Sequence, residues 1–364
     1  MGVQTLILIL LLFQNRHNNT SFSYLSLVLF FFLLSLLSFG ILNILANSNY
    51  ASWIPYLHLE LIYGFGPSLY MYALSLTDNA FKFKRVYGLH FILPILECVY
   101  YRTPLFRNGA IGLSERADSL QNTVFQVIQW GGIISILIYL GITAITLMNY
   151  RKWLGDNHSN FESKKLTWLE KPVLIYTVFW AIWIPTRIMD IFVLNETARP
   201  YYFNLGFLIL AALTCWIGFK GYLTAQTNTV GFLNTKKQDP QQKFNLSELK
   251  DLAEILQQKM FDEKYYLDSE LTLSTFAKHV GSPQKLISKT LNHCLNLSFH
   301  EFVNAHRVEA FKRNVQLEEY RHLSLLGVAL ESGFGSKSTF NLVFKSNTGL
   351  TPKKFRDQLV KNKS

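Results

Sequence analysis

A chain of 364 residues is long enough for two domains, and 49% hydrophobic residues with a formal net charge of +11 suit either a globular or a membrane protein. Neither a disulfide framework nor a zinc site is indicated, because Cys98, Cys215 and Cys294 are scattered, with no CxxC and no histidine at ligand spacing. The mean hydropathy of +0.16 averages two unlike regions: residues 1–225 hold long, nearly charge-free runs of Leu, Ile, Phe and Tyr, whereas residues 236–364 carry ordinary charge.

The first apolar run, Val3 to Phe13, is short for a bilayer at about 1.5 Å per helical residue. It also lacks the basic stretch that precedes a signal-peptide core. Segments 22–46, 54–77, 86–101, 123–149, 173–194 and 203–225 then meet or approach the roughly 20 apolar residues that a bilayer core demands. The expectation is seven spans, or six if the first run does not cross. Gly64, Gly66, Pro67, Pro94 and Pro185 interrupt three of these segments. Proline frees a carbonyl and kinks a helix, which can open a cavity, but such residues are also ordinary in membrane helices.

Orientation follows from loop charge. With residues after 225 on the cytoplasmic side, loops 78–85 and 150–172 are inside and carry Lys82, Lys84, Arg85, Arg151, Lys152, Lys164, Lys165 and Lys171. The opposite loops carry Arg102, Arg107, Arg116 and Arg199, and eight against four agrees with the positive-inside rule. Ionisable groups within the apolar segments are His58, Glu60, His90, Glu97, Arg187 and Asp190. Glu60, Glu97, Arg187 and Asp190 fall in the outer half, where they could line a signal pocket. The blander reading is structural pairing or snorkelling, with Asp190 the helix-face partner of Arg187.

Residues 226–246 read as a polar juxtamembrane linker. An amphipathic helix follows, with Leu249, Leu252, Ala253, Leu256 and Met260 on one face, and its expected job is packing. From Lys278 onward there are 14 Lys and Arg against 6 Asp and Glu, a net +8 that favours an anionic partner.

A short internal repeat carries most of the argument. Ala277, Gly281, Ile287 and Leu291 recur as Ala329, Gly333, Phe340 and Phe344. The alanine permits close helix approach, the glycine a left-handed turn, and the apolar pair anchors the next helix. Thr272 or Ser274 caps the first copy and Ser324 the second, and second helices begin near Ser282-Pro283 and Ser336. Ser298 to Val315 reads as one helix joining the two units. Such a tandem can place two recognition helices in adjacent major grooves, about 34 Å apart.

The segment from Leu271 to Arg356 resembles the DNA-binding domain of the AraC/XylS family of bacterial regulators. The closest correspondence is GFGSKSTFNLVFKSNTGLTPKKFR, Gly333 to Arg356, while LTLSTFAKHVGSPQKLISKTLN with SFHEFVNAHRVEAF fits more loosely. Asn296 stands where the family usually has glycine, which puts the local turn in doubt. GPSLYMY from Gly66 and LHFILP from Leu89 give a weaker likeness to membrane-bound members.

The resemblance implies base contacts from Lys285, Ser288 and Lys289 in the first unit and from Lys337, Ser338 and Asn341 in the second. Lysine can reach guanine, asparagine adenine, and serine either. Ser282, Arg307, Ser336, Lys345, Lys353 and Lys354 are then phosphate contacts, and Arg356 closes the last helix. The expected fold is all-α: a multi-span transmembrane bundle (1–225), the linker, and a soluble domain (247–364) of two helix-turn-helix units joined by a long helix. The expected protein is a non-enzymatic, cofactor-free transcription regulator in the bacterial inner membrane, its C-terminal domain cytoplasmic. Its expected partners are promoter double-stranded DNA, the lipid bilayer, a second copy of the chain, RNA polymerase, and an unidentified small-molecule or membrane signal. The alternative is a transporter or scaffold with a helical interaction tail. Neither an inverted repeat nor a catalytic motif such as HExxH supports it.

Overall fold

The computed structural model describes residues 2–14, 21–47, 61–78, 81–103, 115–194, 199–224 and 246–361. These are helical throughout, with one isolated two-residue bridge and no named strand among the described residues. The chain divides into two compact units, Met1–Met148 with Leu166–Asn234, and Asn149–Lys165 with Thr235–Ser364.

The first unit contains α1 (Gly2–Gln14), α2 (Ser21–Asn47), α3 (Ile62–Thr77), α4 (Ile92–Tyr101), most of α5 (Glu115–Asn157), α7 (Thr167–Phe192) and α8 (Arg199–Thr224). A tight 3-10 stretch, Arg85–Phe91, leads into α4. The expected segment 86–101 is therefore two pieces. Pro94 sits in the first turn of α4, where a missing N–H is harmless. Helix α5 extends well beyond the expected 123–149, to 43 residues. Hydropathy reports where lipid could lie, whereas the polar ends of α5 contain no proline to stop the helix.

Among the described residues, three helices are long and apolar enough to cross a membrane: Ser21–Ser38 within α2, Thr123–Asn157 within α5, and Thr167–Phe192. Helix α2 packs on α1, α3 and α8. The glycines that interrupt α3 are contact points, not weak ones. A methyl on Gly64 would lie 2.3 Å from Phe31, and one on Gly66 2.9 Å from Tyr139, so only a hydrogen fits between the helices. Hydroxyls inside the bundle bond back to their own helix, Ser68 Oγ to Gly64 O (2.7 Å) and Thr77 Oγ1 to Ala73 O (3.0 Å). The outside of the unit stays apolar: Ile138 is 55% exposed and Leu174 64%.

The second unit holds α6 (Phe161–Lys164), α9 (Leu246–Asp262), α10 (Leu273–Val280), α11 (Gln284–Thr290), α12 (Phe299–Asn314), α13 (Leu325–Glu331), α14 (Lys337–Thr348) and α15 (Pro352–Lys361). It has two cores. Leu256, Met260, Phe276, Ile287, Leu291 and Phe302 form one. Phe311, Val328, Phe334, Phe340 and Phe344 form the other. Helix α12 serves both, giving Phe299, Phe302 and Val303 to the first and Val308 and Phe311 to the second. The expected apolar face of α9 is real: Leu249, Ala253, Leu256 and Met260 are buried, the last two in the first core.

Candidate nucleic-acid interface

Each half of the repeat is fixed by a cap, a turn and an anchored second helix. Thr272 accepts from the Thr275 amide in a reciprocal capping box, and Ser324 accepts from the Gly327 amide. Each such cap contributes about 1 kcal/mol to its helix. Both turn glycines are left-handed, Gly281 at φ 76° and Gly333 at φ 91°. They differ in surroundings: a methyl on Gly281 would meet open space, whereas one on Gly333 would lie 2.2 Å from the Tyr266 carbonyl oxygen. The second turn is therefore wedged against backbone of the Tyr265–Leu267 turn that precedes the first repeat. Asn296, where the resemblance calls for glycine, adopts φ 54°. Asparagine tolerates that region better than most residues, so the turn survives the substitution.

The second helices expose the expected side chains. On α11, Ile287 is buried in the first core, Lys285 faces solvent, and Ser288 and Lys289 are half-buried. On α14, Phe340, Val343 and Phe344 face the second core while Lys337, Ser338, Asn341 and Lys345 are exposed. Ser336 caps α14 by accepting from the Thr339 amide, and its hydroxyl donates to Thr339 Oγ1. Lys353 and Lys354 are exposed on α15, and Ser282 is half-buried in the first turn. A shallow groove of about 190 Å³ gathers Lys337, Asn341 and Lys353 around Leu325, Phe340 and Pro352. Candidate base and phosphate contacts of the second unit thus share one face.

Two expectations fail. Arg307 is 1% exposed and cannot reach a phosphate. Its Nε donates to Tyr266 O (2.8 Å), Nη2 to Asp268 O (2.7 Å) and Ser159 Oγ (3.0 Å), and Nη1 to Asn304 Oδ1 (3.1 Å). Burial pushes its pKa down to about 10, opposed by the charges of Asp268 and Glu270, so it stays a cation held by oxygen acceptors. Arg356 does not close the last helix. Its side chain is half-exposed and 3.9 Å from the neighbouring Asp357. The adjacent Phe355 takes the inward position instead, its ring 5.4 Å from that of Phe344.

The partners of Arg307 reveal residues the sequence did not flag. Segment 157–165 lies against the helix-turn-helix repeat within the second unit. The Ser159 amide donates to Leu271 O (3.1 Å), and its carbonyl oxygen accepts from Asn304 Nδ2 (3.3 Å). Asn160 Nδ2 and Lys164 Nζ each donate to the Glu270 carboxylate, at 2.7 and 2.9 Å. Burial raises the Glu270 pKa, but these two donors outweigh it and hold the carboxyl below its usual range. His158 is pushed down to about 4, first by burial and then by the Lys164 charge, with Glu270 opposing.

In the first unit, Glu97 is 3% exposed and accepts from the Ile62 and Tyr63 amides at 3.1 and 3.3 Å, capping α3. Arg187 Nη1 and Asp190 Oδ2 pair at 3.3 Å along α7, both buried. Glu60 lies outside the described residues, as does the linker apart from Leu246. A separate cavity of about 100 Å³ is lined by aromatics including Phe65, Tyr176, Phe179, Trp180 and Trp183, with none of Glu97, Arg187 or Asp190 on its wall.

Residues 276–358 match the family profile described as a helix-turn-helix domain. Two curated relatives are similar over 91 residues, 25% of this chain. Both are uncharacterized HTH-type transcriptional regulators of Staphylococcus aureus, from strain COL at 32% identity and strain MSSA476 at 31%. The matched region is 12% of the length of each relative. No solved structure matches the chain at a significant level. The C-terminal helices carry a helix-turn-helix domain.

Proposed function

We propose that the chain is a membrane-embedded, sequence-specific transcription regulator that reads promoter DNA with its two second helices. The observation that carries this is the duplicated arrangement of α10–α11 and α13–α14. Each pair has its turn glycine left-handed, its anchor residues buried and its Lys, Ser and Asn side chains turned outward or half-buried. Lys285, Ser288, Lys289, Lys337, Ser338 and Asn341 are proposed to read base edges. Ser282, Ser336, Lys345, Lys353 and Lys354 are proposed to hold phosphates and set register. Helices of membrane-crossing length and the apolar exterior of the first unit support embedding, with the DNA-binding domain on the cytoplasmic side.

Sensing is the further step of this proposal. Glu97 as a helix cap and Arg187 with Asp190 as a pair fit the structural role that buried membrane charges often take. The aromatic-lined cavity supports reception of a small apolar molecule from the lipid phase.

The test is selection of random duplexes by the full chain reconstituted in lipid nanodiscs, at two salt concentrations. The expected result is a motif of two half-elements about one helical turn apart, with affinity falling steeply as salt rises. Sequence-indifferent recovery at both salts would sink the regulator reading and promote the scaffold one.

A further inference from the structure

The segment between α5 and α7 reaches every part of the DNA-binding repeat. It meets the first helix-turn-helix unit through a backbone bridge, His158 against Thr272, through the Ser159 amide on Leu271 O, and through Glu270. It meets the joining helix α12 through Arg307 on Ser159 Oγ, Asn304 on Ser159 O, and the Phe161 ring 4.9 Å from that of His300. It meets the second helix-turn-helix unit through α6, which packs on α14, and through Asn160, whose Nδ2 lies 3.3 Å from where a methyl on Gly335 would stand. Ser159 is fully buried by these contacts.

Burying Ser159 is costly unless its polar groups are satisfied, and its amide, carbonyl and hydroxyl find partners in the first helix-turn-helix unit and the joining helix, while Asn160 and α6 add packing on the second. A passive connector needs no such satisfaction, because loops of this length ordinarily stay in water. The two cores of the domain are separate, so their relative angle is set by what bridges them. Two recognition helices fit adjacent major grooves only at one separation and angle.

We infer that residues 157–165 are a strap that fixes the relative placement of the two recognition helices, so that the apolar helices on either side of it act on DNA binding through this contact. The surface it occupies, built from Glu270, Leu271, His300, Asn304 and Arg307, is a docking site for the chain's own inter-helix segment. Its consequence for DNA rests on the proposed function, whereas the mechanical role does not.

The test uses the full chain in nanodiscs. Asn160→Asp with Lys164→Gln sets a carboxylate against Glu270 with no cation between them, at almost unchanged volume. Adding Glu270→Gln restores a donor opposite the introduced carboxylate. One readout needs no DNA: the distance distribution between spin labels at Lys278→Cys and Leu342→Cys, one in each repeat, with the native cysteines replaced by serine. The expected result is a narrow distribution in the parent, a broad one in the double variant, and a narrow one again in the triple variant. The second readout is preference for the selected duplex over one with a single base pair inserted between half-elements. That preference, about tenfold in the parent by the usual cost of a misplaced contact, should fall to about twofold and then recover. An unchanged distribution in the double variant, or a triple variant that stays broad, overturns the strap. A parent that enriches no sequence removes the regulator reading, while the label distances still decide the mechanical role.

Discussion

The two units bury large apolar side chains alike but differ in what they leave outside. In the second unit such side chains point inward: Phe311, Phe340 and Phe344 meet in a core with rings 4.7 to 5.7 Å apart, and the surface carries lysine, serine and asparagine. In the first unit Gly64, Gly66, Ser68 and Thr77 share the interior with Leu25, Phe32, Leu69 and Tyr72, but Ile134, Ile138, Ile145 and Leu174 also face outward. Water expels apolar surface and so builds the first kind of core. A hydrocarbon solvent offers no such drive, and close contact between small residues must hold the helices together. The distribution of the apolar residues, more than their number, separates the two units and underlies the proposal that the first is embedded in lipid.

The sharpest way to break this comparison is paired truncation. Phe340→Ala should destabilise the second unit by about 3–5 kcal/mol, read as loss of protection in pulse proteolysis. Ile134→Ala on the exterior of the first unit should change stability in lipid by well under about 1 kcal/mol. Equal losses at both positions would mean that the first unit is folded against water. A somewhat smaller effect is expected from a charge on the exterior. Ile138→Arg should cost about 2.5–3.5 kcal/mol in a membrane-insertion assay, whereas Leu342→Arg, exposed on α14, should leave folding unaltered.

The smallest expected effect is of pH, and it separates the strap from the rest. Released, His158 takes up a proton near its ordinary 6.5; docked, it does so only near 4. The folded-state value is the lower one, so docking is fully favoured above about 6.5 and weakens as pH falls towards 4. Glu270, also held low when docked, pulls in the same direction. Hydrogen exchange at the Ser159 amide, corrected for the intrinsic rate, should therefore be faster at pH 5.5 than at pH 7.5. Amides of α14 should show no comparable change.

Helix boundaries in the second unit were legible because caps and left-handed turns are local. Thr272, Ser298, Ser324 and Ser336 all cap where serine and threonine precede an apolar period, and Gly281 and Gly333 punctuate as expected. The lysines of the second helices came from the family resemblance, and Lys285, Lys337 and Lys345 are exposed while Lys289 is half-buried. Arg307 was misread because its charge outweighed its register. It lies four residues after Val303 and four before Phe311, on the buried stripe of α12, and that spacing was the signal for burial. Ser159 and Glu97 had no local signal. Their partners lie 148 and 35 residues away, Arg307 and Ile62, and only the fold brings them together.

The strap also has a history in time. Ser159 leaves the ribosome 148 residues before the arginine that will hold it. At roughly 5–20 residues per second, the segment spends about 7–30 s without the arginine. During that interval α7 and α8 are synthesised. The DNA-binding domain therefore completes its fold around a loop whose flanking helices are already made. A nascent chain stalled in α7 or α8 carries the strap before any residue that will hold it, because Glu270, Leu271, Asn304 and Arg307 are all made later.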